Sequence, residues 1–131
     1  MQSEDSWYFA PNGETVKSPG DAKKAKSFTF DRVLNSDSTQ ETAYLEAGRP
    51  TVNQLLKGFN GTIFAYGQSG SGKTFTMLGP DSVVEAIKDG SEGISIDVQR
   101  MYGVIPRAIG DIFNTINQVV AADNAQIELS V

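Results

Sequence analysis

The sequence predicts an α/β fold. Three adjoining features predict it: a short apolar run, a glycine-rich loop that ends in Lys-Thr, and a segment able to continue as a helix. The run Thr62-Ile63-Phe64-Ala65-Tyr66 is rich in β-branched and aromatic residues and reads as a buried strand. The loop Gly67-Gln68-Ser69-Gly70-Ser71-Gly72-Lys73-Thr74 fits the pattern G-x-x-x-x-G-K-[ST]. Lys73-Thr74-Phe75-Thr76-Met77-Leu78 can run on as a helix until Gly79-Pro80 stops it. Residues 62–79 thus form one strand, loop and helix unit.

The residue types in the loop suit a polyphosphate ligand. Such a ligand needs many donors at short range, so the backbone must turn its N–H groups inward. Gly67, Gly70 and Gly72 are expected to supply positive φ angles and close backbone approach. The start of the following helix adds unpaired N–H groups and a favourable dipole. Lys73 is placed to reach the β- and γ-phosphates, and the Thr74 hydroxyl to ligate Mg²⁺. A flexible Gly/Ser linker would share the glycines but would need neither the strand before them nor Lys-Thr after them.

At 131 residues the chain is expected to be a single domain, long enough to bury a core. With no cysteine it has no disulfide or thiolate metal site, and with no histidine it has no His-based triad or His-ligated zinc. There is no apolar run of membrane-spanning length and no signal-peptide layout at Met1-Gln2-Ser3-Glu4-Asp5, so no membrane insertion is expected. The net charge of −5 is uneven: residues 1–73 balance, whereas after them Lys88, Arg100 and Arg107 stand against eight acidic groups. No basic stripe exists to bind nucleic acid or anionic lipid.

Taken in order, Trp7-Tyr8-Phe9-Ala10 reads as a strand that turns at Pro11-Asn12-Gly13-Glu14 into Thr15-Val16-Lys17, a small antiparallel hairpin. Lys23, Lys24 and Lys26 suit a solvated strand edge. In Ser27-Phe28-Thr29-Phe30 the alternation points Phe28 and Phe30 into the core. Ser38-Thr39-Gln40-Glu41 is a capping-box pattern opening a helix, and Pro50 should kink or break it. Val52, Leu55, Leu56 and Phe59 form an apolar stripe, with Gly58 as the stop. Residues 80–103 read as a mobile, variable surface insertion, with a short helix around Val83, Val84 and Ile87 and a short strand at Ile94-Ser95-Ile96. Pro106 lies in the first turn of a helix whose stripe is Ile109, Ile112, Phe113 and Ile116, and Gln126 to Val131 alternates like a strand.

Three stretches carry a resemblance. Lys26 to Leu34 is similar to a sheet strand of kinesin motor domains. Gly58 to Met77 closely resembles that family's nucleotide-binding signature, and Gly103-Val104-Ile105-Pro106-Arg107 with Ile112-Phe113 resembles the segment that follows it. The matches stand in family order over about residues 26 to 118 and cover only the N-terminal part of a motor domain. The resemblance implies a three-layer α/β P-loop NTPase with an incomplete central sheet over residues 1–131. It implies ATP and Mg²⁺ as cofactors, microtubules as the partner of the complete protein, and a place in the cytoplasm on the cytoskeleton. Carried over, Gly67 to Thr74 hold the phosphates, and Phe75 stands where a ring stacks near the adenine or simply packs its helix.

The chain departs from the family at several points. It has no Arg-x-Arg-Pro motif near its N-terminus, no Ser-Ser-Arg-Ser-His switch and no Asp-Leu-Ala-Gly-Ser-Glu switch. Placing water and sensing the γ-phosphate need those switches, so no catalytic residue is assigned and turnover by this segment alone is not expected. The expectation is the ATP-binding part of a microtubule motor ATPase, encoded as a piece of a longer chain. The alternative is a truncated nucleotide-binding module or pseudo-motor without turnover. A small nucleotide kinase would need an arginine-rich lid, and only Arg100 and Arg107 follow the loop.

Overall fold

The structure, a computed structural model, describes residues 6–21, 24–89 and 95–123. The expected strand from Gln126 to Val131, together with Lys23 and Ile94, lies outside them. Where the sequence suggests one domain, the chain divides into two units, Met1–Ser38 and Thr39–Val131.

In the first unit, β1 (Tyr8–Phe9), β2 (Thr15–Lys17) and β3 (Ser27–Thr29) form an antiparallel sheet in that order. The Asn12 carboxamide oxygen accepts from the amides of Glu14 and Thr15 at 3.1 Å, and Gly13 takes φ 69°, which closes the first turn. The hairpin foreseen from sequence gains a third strand because β3 pairs with β2, Phe28 facing Val16. Val16 also faces Phe9, so Phe9, Val16 and Phe28 share one side of the sheet, where the Trp7 ring approaches Phe28 at 6.4 Å. Phe28 and Phe30 are nonetheless 41% and 55% exposed, which corrects their expected burial. A single three-stranded sheet offers no second layer within its own unit to cover that side.

The second unit starts with a helical run of three segments: α1 (Gln40–Ala43), a π-helical turn (Tyr44–Gly48) and α2 (Arg49–Leu55). Its cap is Thr39, whose hydroxyl accepts from the Thr42 amide at 3.1 Å, one residue later than the expected capping box. At Pro50 the chain neither breaks nor stays α-helical. Pro50 has no N–H to give to residue 46, and its ring would clash with that carbonyl. The preceding turn widens instead, so that the Arg49 amide donates to the Tyr44 carbonyl, five residues back. The run ends where foreseen: Gly58 sits at φ 88°, with its amide on the Leu55 carbonyl and the Phe59 amide on the Gln54 carbonyl.

The wide turn places Tyr44 at the centre of the core. Tyr44, Val52 and Val104 are buried together, with Ile63, Met77, Ala108 and Ile112 packed against them. Burying a valine of this kind stabilises by about 1.5 kcal/mol. The Tyr44 hydroxyl donates to Asp111 Oδ2 at 2.7 Å, and Arg49 Nε lies 3.6 Å from the same oxygen. Only the first residue of the expected Val52 stripe is buried: Leu55, the last residue of α2, is 46% exposed, and Leu56 and Phe59 lie beyond the helix.

Residues 73–123 supply α3 (Lys73–Met77), α4 (Asp81–Lys88), α5 (Ile96–Arg100) and α6 (Val104–Asp123). The insertion is helical at both ends. Ile96 begins α5 rather than lying in a strand, because the Ser95 hydroxyl accepts from the Val98 amide at 3.4 Å and starts a helix. Val83 of α4 is completely buried, so this segment packs onto the unit. Pro106 lies in the first turn of α6 as expected, and Ile112 reaches the core. Ile109 and Phe113 remain 50% and 53% exposed, so half of the foreseen stripe is only partly covered by the described residues.

Two tests follow from the Tyr44 junction. A Cβ at Gly48 would lie 2.5 Å from Tyr44 Cδ2 and 3.2 Å from Val104 Cγ1. Gly48→Ala is expected to destabilise the chain by about 1–3 kcal/mol in urea unfolding, as overpacking does. An unchanged midpoint would show that the junction can give. Burial, then the hydrogen bond to Asp111 and its charge, hold the Tyr44 hydroxyl protonated well above the usual tyrosine value. The folded chain therefore keeps a proton that the unfolded chain releases, so this stabilisation is complete below about pH 10 and is lost as pH climbs further. The stability gap between wild type and Tyr44→Phe should stay constant up to about pH 10 and narrow as pH rises above it. A gap that does not narrow there would contradict the linkage.

Candidate functional site

Residues 59–67 carry no regular secondary structure, where a buried strand is expected over Thr62–Tyr66. Alternation survives nevertheless: Ile63 and Ala65 are half-buried, whereas Phe64 and Tyr66 are 81% and 95% exposed. A strand is held by a ladder of hydrogen bonds to a neighbour, and no strand pairs with this segment among the described residues. One side of it packs on the core through Ile63.

The loop then turns on its glycines in two different ways. Gly70 and Gly72 adopt φ 76° and 89°, left-handed values that any Cβ would strain. Gly67 is corrected: it is not among the left-handed glycines, and what it supplies is space, since a Cβ there would lie 2.5 Å from the Ser71 hydroxyl oxygen. The Ser71 amide donates to the Gln68 carbonyl at 3.2 Å, closing the turn through Ser69. Gly72 caps α3, accepting from the Thr76 amide at 2.8 Å.

Lys73 folds back over the loop. Its ammonium donates to the carbonyls of Gly67 at 2.9 Å and Gln68 at 2.8 Å, so the loop wraps around the cation. Thr74 stands beside it with an exposed side chain, and the amides of this first turn have no partner within the helix. The structure thus gathers Gly67 to Thr74 into one turn closed by the Lys73 ammonium and the Ser71 amide. The donor set fits a polyphosphate with Mg²⁺: a cation, a hydroxyl and backbone N–H groups, with no carboxylate in the loop. Phe75 is 53% exposed, so its ring is not a buried packing residue.

Residues outside the loop decide where α3 sits. Gln40 Nε2 donates to the Phe75 carbonyl at 2.7 Å, across 35 positions of sequence. The Gly103 amide donates to the Leu78 carbonyl at 3.1 Å, and a Cβ on Gly103 would lie 2.6 Å from Leu78 N. Arg107 secures the approach to Gly103, donating from Nε to the Tyr102 carbonyl and from Nη2 to the Arg100 carbonyl, both at 2.8 Å. In the sequence Gln40 stands in a capping pattern and Arg107 in a stretch that resembles the family. Nothing local to Gln40 signals a partner 35 residues along the chain.

Residues 4–131 match the kinesin motor domain family. The chain is similar to the kinesin-like protein KIF15-B of Xenopus laevis, at 45% identity over 93 residues, which is 71% of this chain and 6% of that protein. It is 44% identical to the kinesin heavy chain of Strongylocentrotus purpuratus over 101 residues, covering 77% of this chain and 8% of that one. It is 42% identical to centromere-associated protein E of Homo sapiens over 94 residues, covering 72% and 3%. The fold class is accordingly that of the P-loop NTPases. Within that class, the chain belongs to the kinesin motor domain family. It spans under a tenth of the length of these relatives.

The close approach at Gly67 gives a local test. Gly67→Ala should shift the amide resonances of Gln68 to Lys73, and Ser71→Gly in the same chain should restore most of them by removing the opposed hydroxyl. If the double variant is as perturbed as the single one, Ser71 is not what Gly67 makes room for.

Proposed function

We propose that Gly67 to Thr74 bind the phosphates of ATP with Mg²⁺, and that the chain is the ATP-binding part of a motor domain. In the complete protein that domain couples ATP hydrolysis to movement along microtubules on the cytoskeleton. The observation that carries this reading is the wrapping of the loop around the Lys73 ammonium at 2.8–2.9 Å, at the start of a helix, in a chain of the kinesin motor domain family. Lys73 would exchange its two carbonyl partners for β- and γ-phosphate oxygens, and Thr74 would hold the metal ion. The magnesium ion supplies charge neutralisation between the phosphates when bound. Phe75, exposed one position further on, is available to an adenine ring.

We further propose that the complete fold has three layers and that this segment carries part of the central sheet. Support comes from surfaces that a sheet would cover: Phe64 and Tyr66 on the segment before the loop, and Ile109 and Phe113 on α6. No described helix is long and apolar enough to cross a membrane. The second reading is a nucleotide-binding module without turnover. These 131 residues carry the phosphate loop and neither switch pattern, so the activity read for this segment itself is binding.

Calorimetric titration of the 131-residue chain with MgATP tests the site. Lys73→Ala is expected to weaken binding by at least about tenfold, since a charge-assisted contact to phosphate contributes about 1.5–3 kcal/mol. A folded chain that binds no nucleotide would sink the reading. Microtubule-stimulated phosphate release, measured on the complete native protein, separates motor from module: stimulation is expected, and its absence alongside tight binding would favour the module.

A further inference from the structure

We infer that Gln40 is a positioning residue for the phosphate loop: its side-chain amide, by holding the Phe75 carbonyl, sets the direction of α3 and so where Lys73 and Thr74 point. This rests on the nucleotide reading above and names a residue far from the loop that the reading requires. The α3 helix has five residues, too few to hold itself together, so its orientation comes from what it touches. Its N-terminal end is the loop itself. Its C-terminal end has three ties: Met77 in the core, the Gly103 amide on the Leu78 carbonyl, and Gln40 on the Phe75 carbonyl. Of the two hydrogen-bonded ties only Gln40 is a side chain, and it comes from α1, whereas the Gly103 amide comes from the residue before α6. The Phe75 carbonyl also accepts from the Leu78 amide and, at 2.9 Å, from the Gly79 amide, so Gln40 adds to it a side-chain donor from outside α3.

Leverage makes the tie matter. A five-residue helix is roughly 7.5 Å long, so a tilt of about 10° about its far end moves Lys73 by roughly 1 Å, enough to misplace a phosphate contact. Gln40 is itself held still. It is the first residue of α1, directly after the Thr39 cap, and α1 runs without interruption into the turn that buries Tyr44.

The test uses the whole chain with Gln40→Ala, Gln40→Glu and Gln40→Lys, and two measurements. The first is amide hydrogen exchange without nucleotide; the second is affinity for a fluorescent MgADP analogue. Gln40→Ala should speed exchange at Thr76 to Gly79 several-fold while leaving the middle of α6 unchanged, and should weaken nucleotide binding about fivefold. Glutamate favours a helix N-terminus but cannot donate, whereas lysine is disfavoured there but can donate. Positioning therefore requires Gln40→Glu to be at least as impaired as alanine and Gln40→Lys to recover most of the wild-type behaviour. The reverse order would show that Gln40 serves only α1, and would overturn the inference, as would unchanged exchange in Gln40→Ala. If wild type binds no nucleotide, the proposed function falls, while the exchange order still decides whether Gln40 directs α3.

Discussion

The ring of Tyr44 lies across Gly48 and against Val104, and most of the second unit takes its geometry from that contact. The ring can lie there only because residue 48 has no Cβ and because the turn carrying it is wide. The width in turn answers Pro50, which cannot continue an α-helical ladder. Once seated, the Tyr44 hydroxyl reaches Asp111, two turns into α6, and fixes the rotation of that helix about its axis. A buried hydroxyl with a carboxylate partner is costly to move, so the helical run and α6 behave as one piece.

The phosphate loop is built outward from that piece. Met77 joins α3 to the same core, and Gly79 and Gly103 let backbones meet at distances no side chain would permit, a Cβ on Gly79 lying 2.6 Å from the Met101 carbonyl oxygen. The insertion between residues 80 and 103 leaves and returns at this crowded spot. Val83 is fully buried beside Gly79, and Arg107 ties down the carbonyls on the return path. Lys73 and Thr74 are thus directed from behind, by contacts at the end of α3 that faces away from the loop.

Several apolar surfaces are left uncovered, and they explain where sequence reading and structure part. The alternation in Thr62 to Tyr66, in Phe28 and Phe30, and in the α6 stripe is real: Ile63 and Ala65 turn inward while Phe64 and Tyr66 turn out, and Phe28 shares a side with Phe9 and Val16. Periodicity states which side is apolar but not what lies against it. The expected burial of Phe28, Phe64 and Phe113 needs a neighbouring layer that the described residues do not contain. Family membership, by contrast, was legible from three short motifs, because glycine spacing and Lys-Thr are local facts.

By itself the sequence determined the local grammar. It placed the loop from Gly67 to Thr74, the stop at Gly58, the disturbance at Pro50, the turn at Asn12-Gly13 and Pro106 in the first turn of α6. Each of these follows from the φ, ψ or hydrogen-bonding limits of one or two residues. Only the tertiary structure decided that Pro50 widens a turn instead of ending a helix. It alone decided that Gly67 provides space rather than a left-handed bend, and that Gln40 holds a carbonyl 35 residues away. Those outcomes depend on which backbones meet in space. A glycine or an amide carries no mark in the sequence of the partner it will meet.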